Sequence, residues 1–288
     1  MEVLTAQAHG GVDLHSSTNM EAQNRRSFVG LGIGALISSA IAPRGAAAAS
    51  PPATPAPTFP RQDPALVTEM VRVAHSDLER VKQLVESKPA LARAAIDWGF
   101  GDWEDALGAA SHTGRFEIAQ VLIAHGARPT LFSAAMMGQL DVVKAFVTSA
   151  PGCQSTLGPH GITLLSHARA GGERARAVFD YLEQAGGADP KPSPRITLAE
   201  SDRQKYVGTY VFGSSSDDVL TVANEKNGLS ITRPGLPFPR GLAAVAPDEF
   251  APAGAEAVRV QFKLRGDGSG ELRILDPDVL VTAVRSAR

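Results

Sequence analysis

Three stretches of this 288-residue chain share one spacing: DLERVKQLVESKPAL from Asp77, RFEIAQVLIAHGARP from Arg115 and QLDVVKAFVTSAPG from Gln139. In each, an acidic residue (Glu79, Glu117, Asp141) is followed two positions on by an apolar one (Val81, Ala119, Val143). A further apolar residue stands three positions beyond (Leu84, Leu122, Phe146). That spacing gives a short helix one apolar face, and the face has to be buried. The second and third stretches are each preceded by a small-residue run, ALGAASHTG or LFSAAMMG, that stops at Gly114 or Gly138. Glycine suits a helix end that turns left-handed. A repeated unit of this size cannot cover its own apolar face, so stacked neighbours must supply the core.

Leu107, Ala110, Gly114, Glu117, Leu122, Gly126 and Ala127 in one unit resemble the ankyrin repeat. So do Leu131, Ala134, Ala135, Gly138, Asp141, Val142, Val143 and Lys144 in the next, and Thr163, Leu165, Ala168 and Gly172 beyond it. The resemblance covers 64–190 and implies a solenoid whose concave face and projecting fingers bind protein. The departures shape it. Gly114 and Gly138 are closer than the ~33 residues of that repeat, and Gly126-Ala127-Arg128-Pro129 runs almost directly into Leu131. The finger between the second and third units is therefore expected to be missing. RAAIDWGFGDWED and SAPGCQSTLGPHGIT leave room for two long ones.

A proline cluster, ADPKPSPR at 188–195, ends the helical region, with 191–195 read as a linker. Over 196–288 the period changes. The runs 206–213, 218–223, 228–233, 258–265, 270–275 and 279–284 are rich in β-branched residues and read as strands. Asn227-Gly228 and Asp267-Gly268 favour hairpin turns. Tyr206-Val207-Gly208-Thr209-Tyr210, Leu220-Thr221-Val222, Gly228-Leu229 and Asp248-Glu249-Phe250 resemble the small accessory β-domain appended to exported bacterial serine hydrolases of the β-lactamase-like class. The expected fold class is α+β and multidomain: an all-α ankyrin-like solenoid followed by a small antiparallel β-meander or barrel-like domain.

The N-terminal region reads as an address. Arg25 and Arg26 precede the mildly apolar run Phe28 to Ala42, which is shorter than the ~20 residues of a spanning helix. Ala46 and Ala48 fit an A-x-A cleavage pattern. Arg25-Arg26-Ser27-Phe28 resembles the twin-arginine signal, which sends folded proteins across the bacterial inner membrane. Residues 1–48 are thus expected to be an export signal, with 1–19 a start-site artefact if Met20 is the true start. Residues 49–63, proline- and alanine-rich, read as a tether. Together these imply a periplasmic or secreted protein with no membrane segment in its mature form.

Chemistry is harder to find. A formal net charge of −2 gives no reason to expect nucleic acid. Cys153 is the sole cysteine, so no disulfide forms within the chain. No G-x-S-x-G or S-x-x-K motif is present, and no catalytic residue is assigned. His75, His112, His125, His160 and His167 crowd into the helical region but lack the H-x-x-x-H spacing of a local metal site. Capping or core packing is the expected role for most of them, with no metal and no cofactor. His160, held in Gly158-Pro159-His160-Gly161, stands apart, either as a ligand or base on a finger or as a polar residue that holds the finger together, as the ankyrin resemblance implies. Trp98, Phe100 and Trp103 share the other finger with Asp97, Asp102, Glu104 and Asp105. Aromatics in such a place either tuck down onto the solenoid or form a protein-binding hot spot. The expectation is a monomeric, non-catalytic scaffold that binds a protein partner through Trp98, Phe100, Trp103 and His160. The alternative is an enzyme or accessory subunit with a histidine-based or metal site on the long fingers.

Overall fold

A computed structural model describes residues 57–286 apart from Ser193 and Pro237. The signal residues Arg25, Arg26, Phe28, Ala46 and Ala48, and the tether up to 56, lie outside the described residues. Eight helices come in consecutive pairs: α1 (Pro64–Val73) with α2 (Leu78–Ser87), α3 (Ala106–His112) with α4 (Phe116–Ala124), α5 (Leu131–Met136) with α6 (Leu140–Ser149), and α7 (Leu164–Ala170) with α8 (Arg176–Ala185). The first helices pack in succession, α1 on α3, α3 on α5 and α5 on α7.

Local chemistry sets these starts. Asp63, Asp77, Asp105, Thr130 and Thr163 each accept a backbone N–H at the start of the helix they precede, which satisfies donors that a helix cannot satisfy itself. Gly114 and Gly138 have φ of 69° and 74°. A Cβ on Gly114 would strike the Ala170 carbonyl, and one on Gly138 the Arg174 carbonyl, so both glycines also allow the close approach of the α7–α8 pair. The apolar faces merge into two clusters, one around Met70, Leu84, Leu107 and Leu122 and one around Val143, Leu164, Val178 and Leu182.

Between α2 and α3 the chain makes a short hairpin, β1 (Ala95–Asp97) with β2 (Trp103–Asp105). No such hairpin interrupts the run from α4 to α5, as the sequence spacing predicts. After α8 a short helix, α9 (Glu200–Arg203), leads into eight strands: β3 (Gly208–Val211), β4 (Val219–Glu225), β5 (Gly228–Thr232), β6 (Arg240–Ala246), β7 (Glu249–Pro252), β8 (Arg259–Leu264), β9 (Gly270–Asp276) and β10 (Asp278–Arg285). They close into an antiparallel barrel in the order β10-β3-β4-β5-β6-β7-β8-β9. The α+β class holds, and of the meander or barrel-like domain that the sequence suggests, the barrel is the form adopted.

Alternation fills the barrel with Tyr210, Leu220, Val222, Ile231, Phe250, Val260, Phe262 and Leu272, as expected when a small barrel packs its own interior. β6 and β7 have no counterpart in the sequence reading, because RGLAAVA and EFAP contain almost no β-branched residues. The barrel also touches the β1–β2 hairpin, whose Phe100 packs on the barrel core. Among the described residues no helix is long and apolar enough to cross a membrane.

Candidate metal centre

Three of the five histidines of the helical region meet around one carboxylate. His75 follows the end of α1, His112 ends α3, and His160 sits in a single turn, Pro159–Gly161. Because α1 and α3 are stacked neighbours, their C-terminal ends adjoin, and the two imidazoles come within 3.2 Å, Nε2 to Nε2. Glu104 arrives from β2. In this two-residue period Trp103 faces out, 64% exposed, while Glu104 faces in, 1% exposed.

His112 Nε2 lies 2.9 Å from Glu104 Oε1. His160 Nε2 and His75 Nε2 lie 3.4 and 3.6 Å from Glu104 Oε2. One donor atom from each of His75, Glu104, His112 and His160 falls within 4.8 Å of all the others. Donors held about 2.0–2.2 Å from a common ion stand roughly 3 to 4 Å apart, so this group could close on a single cation with small side-chain shifts.

The surrounding bonds aim the donors. His75 Nδ1 donates to the carbonyls of Val71 and Arg72, at 3.0 and 3.1 Å, which leaves Nε2 with its lone pair facing the group. Arg115 Nε fixes the same turn by donating to the His75 carbonyl at 3.0 Å. His160 has a φ of 61°, unusual for a residue with a side chain. Asp102 holds it there, accepting its backbone N–H and its Nδ1–H, both at 2.8 Å. Trp98 Nε1 donates to Glu104 Oε2 at 2.7 Å, and its indole meets the His160 ring edge-on. Such outer bonds set tautomer and ring orientation in metal sites.

Burial alone pushes the Glu104 carboxyl up, but hydrogen bonds from His112 and His160 and the nearby imidazole charges bring it down to about 2. Asp102 shows the same balance: desolvation opposes its charge, and bonds from His160 and Arg240 hold its carboxyl below the usual range. The Asp102 bond, then Glu104, raises His160 to about 9. A cation entering the group would replace that proton, so binding competes with protons.

His167 stands beside this group rather than in it. Its ring is fully buried, 6.4 Å from that of His112, with Nδ1 donating to the Thr163 carbonyl and Nε2 without a partner among the described residues. Burial lowers it to about 4. His125 caps α4 through the Val121 carbonyl and joins no cluster. Cys153 lies in the turn Cys153–Ser155 and contributes no donor to the group.

The residues expected on the fingers thus divide. Trp98 is buried, 7% exposed, and stacks on Phe238; Phe100 packs on the barrel; Trp103 alone of the three is open to solvent. His160 joins His75 and His112, which the sequence reading assigns to capping or packing. Asp102 and Glu104 enter that reading only as acidic company for the tryptophans. A signal was present: His75 and His112 both lie at the end of the first helix of consecutive pairs, where stacking makes neighbours of like positions.

No family model matches the sequence, and no curated protein matches it.

Proposed function

We propose that this is an exported metal-dependent protein with one mononuclear centre, formed by His75, His112, His160 and Glu104. The observation that carries this reading is the convergence of three imidazole nitrogens on a buried carboxylate, with separate bonds orienting His75, His160 and Glu104. The donor set contains nitrogen and oxygen without sulfur, which suits zinc, iron, manganese, cobalt, nickel or copper(II) and favours no soft ion. The side chains of His75 and His160 are 25% and 26% exposed while that of Glu104 is fully buried, so the group opens on one side. Structural zinc sites are closed, and catalytic ones keep a position for water or substrate. An ion held here supplies Lewis acidity to a ligand on that open side. The chain's own residues aim the donors and exclude water behind Glu104.

This reading keeps the twin-arginine route to the periplasm, which suits a centre built from four elements because it exports chains already folded. It also keeps the ankyrin-like solenoid as scaffold, supported by the succession of paired helices and the glycine turns. Elemental analysis of the purified mature protein tests it, with one equivalent of a first-row transition metal expected and the metal lost from His112→Ala. A wild-type protein that takes up no stoichiometric ion after exposure to zinc, iron, manganese, cobalt, nickel and copper ends the reading.

Non-catalytic partner binding is a second reading, favoured by Trp103. It borders a cleft of about 380 Å³ between the two fingers, with Phe132, Leu157 and Pro159 as further walls. An exposed tryptophan beside an apolar cleft is the usual composition of a protein-binding hot spot.

A further inference from the structure

Two of the donors are held by residues of the hairpin, and those residues are held in turn by the barrel. Trp98, which donates to Glu104, is stacked by Phe238, ring centroids 5.4 Å apart and planes 27° from parallel. Asp102, which holds His160, accepts a 2.5 Å bond from Arg240 Nη2. Phe238 and Arg240 are alternate residues of the segment entering β6, so one short stretch of barrel backbone serves both.

The Arg240 contact is built in detail. Its guanidinium also donates to the Ala253 carbonyl within the barrel, which ties the pair to the β7 end. Gly254 lies against it with a φ of 80°, and a Cβ there would come within 2.6 Å of Asp102 Oδ2 and 2.7 Å of Arg240 Nη2. The Arg240 side chain is 11% exposed and that of Asp102 is 2%. A desolvated arginine–carboxylate pair is costly to break from one side, so Asp102 stays charged and in place under His160.

Resting on the metal-centre reading, we infer that the barrel is a positioning module for that centre, with Arg240 and Phe238 fixing the residues that aim His160 and Glu104. Neither touches a donor atom. Their action is on ligand geometry, through Asp102 and Trp98.

The test uses the full mature chain and cobalt(II), whose visible spectrum reports ligand geometry, with affinity measured by chelator competition. Arg240→Ala is expected to weaken cobalt binding by about 10–100-fold, the usual effect of removing an outer partner of a metal ligand, and to alter the spectrum. Arg240→Lys restores part of the affinity, because a cation again faces Asp102. Phe238→Ala shifts the spectrum through Trp98. Arg259→Ala removes a different barrel ion pair, with Glu249, and leaves both readouts unchanged. Wild-type affinity and spectrum in Arg240→Ala overturn the inference, as does an equal loss in Arg259→Ala, which would mark general loosening. Should Arg240→Ala not fold, Arg240→Lys and Phe238→Ala decide the matter in the same way. A wild type that binds no cobalt(II) or zinc(II) overturns the centre itself, and the positioning role with it.

Discussion

Asp102 accepts both the backbone N–H and the Nδ1–H of His160 across 58 positions of sequence. One carboxylate thereby fixes where the chain passes and how the ring is turned. The left-handed backbone at His160 costs about 1–2 kcal/mol, and two bonds to a charged acceptor, about 1.5–3 kcal/mol each, offset it. The strained turn Gly158–Gly161 is thus held open for an imidazole rather than for the turn's own sake.

Glu104→Gln keeps the shape of the side chain and removes its charge. Metal content should fall well below one equivalent. The metal-free protein should lose about 3 kcal/mol of unfolding free energy, since the charged His160 ring then loses one of its two carboxylate partners. Elemental analysis and urea titration read the two effects, and a variant that keeps both values would show that the carboxylate is not a ligand.

His167 gives an acid limb to stability. Its folded value is about 4, below the ordinary 6.5, because burial disfavours the charged ring. Below pH ~6.5 the unfolded chain takes up a proton that the folded chain refuses until about 4. Stability therefore falls as pH drops through that window, by about 3 kcal/mol at most, and levels below it. His160, raised to about 9, is protonated in both states below pH ~6.5 and adds no slope there. Urea midpoints of chelator-treated protein between pH 4 and 7 should show a flatter limb in His167→Gln. An unchanged slope would move the acid sensitivity elsewhere.

The two tryptophans should separate by consequence. Trp98→Ala removes a buried ring and the donor to Glu104 Oε2, and should cost about 3–5 kcal/mol of stability. Trp103→Ala, at a side chain 64% exposed, should change stability by less than about 0.5 kcal/mol. If Trp103 meets a partner, its loss weakens capture about 30-fold. A large melting drop in Trp103→Ala with capture intact would remove the cleft from consideration.

Replacing Arg25 and Arg26 by lysine should leave the precursor uncleaved in the cytoplasm, with its metal already bound. Cell fractionation and immunoblotting of precursor and mature forms decide it. Normal processing of the double variant would rule out the twin-arginine route.

The helical half was legible because its apolar faces repeat at a helical period around Val81, Leu122 and Val143. The glycines at 114 and 138 also mark turns that only a residue without Cβ fits. The six strands read from sequence rest on β-branched runs such as Leu220–Val222 and Val258–Phe262. β6 was silent because Gly241, Ala243 and Ala244 leave no alternation to detect, and without β6 and β7 the strand count of the barrel-like domain stays short. The centre was hidden for another reason. Its donors come from the chain just after α1, from β2, from α3 and from a turn, so no local spacing records it, and only the stacking of α1 on α3 turns His75 and His112 into neighbours.

Arg240 and Asp102 are 138 positions apart, and the distance orders events during folding. Contacts between successive helices are local and form early, whereas pairing of remote strands is slow. His75 and His112 can therefore gather as soon as α1 and α3 pack. His160 acquires its final support only after the chain has run on through the barrel and brought Arg240 back to the hairpin. A fully ordered donor set is in this sense a record, kept at four side chains, that both halves of the chain have finished folding.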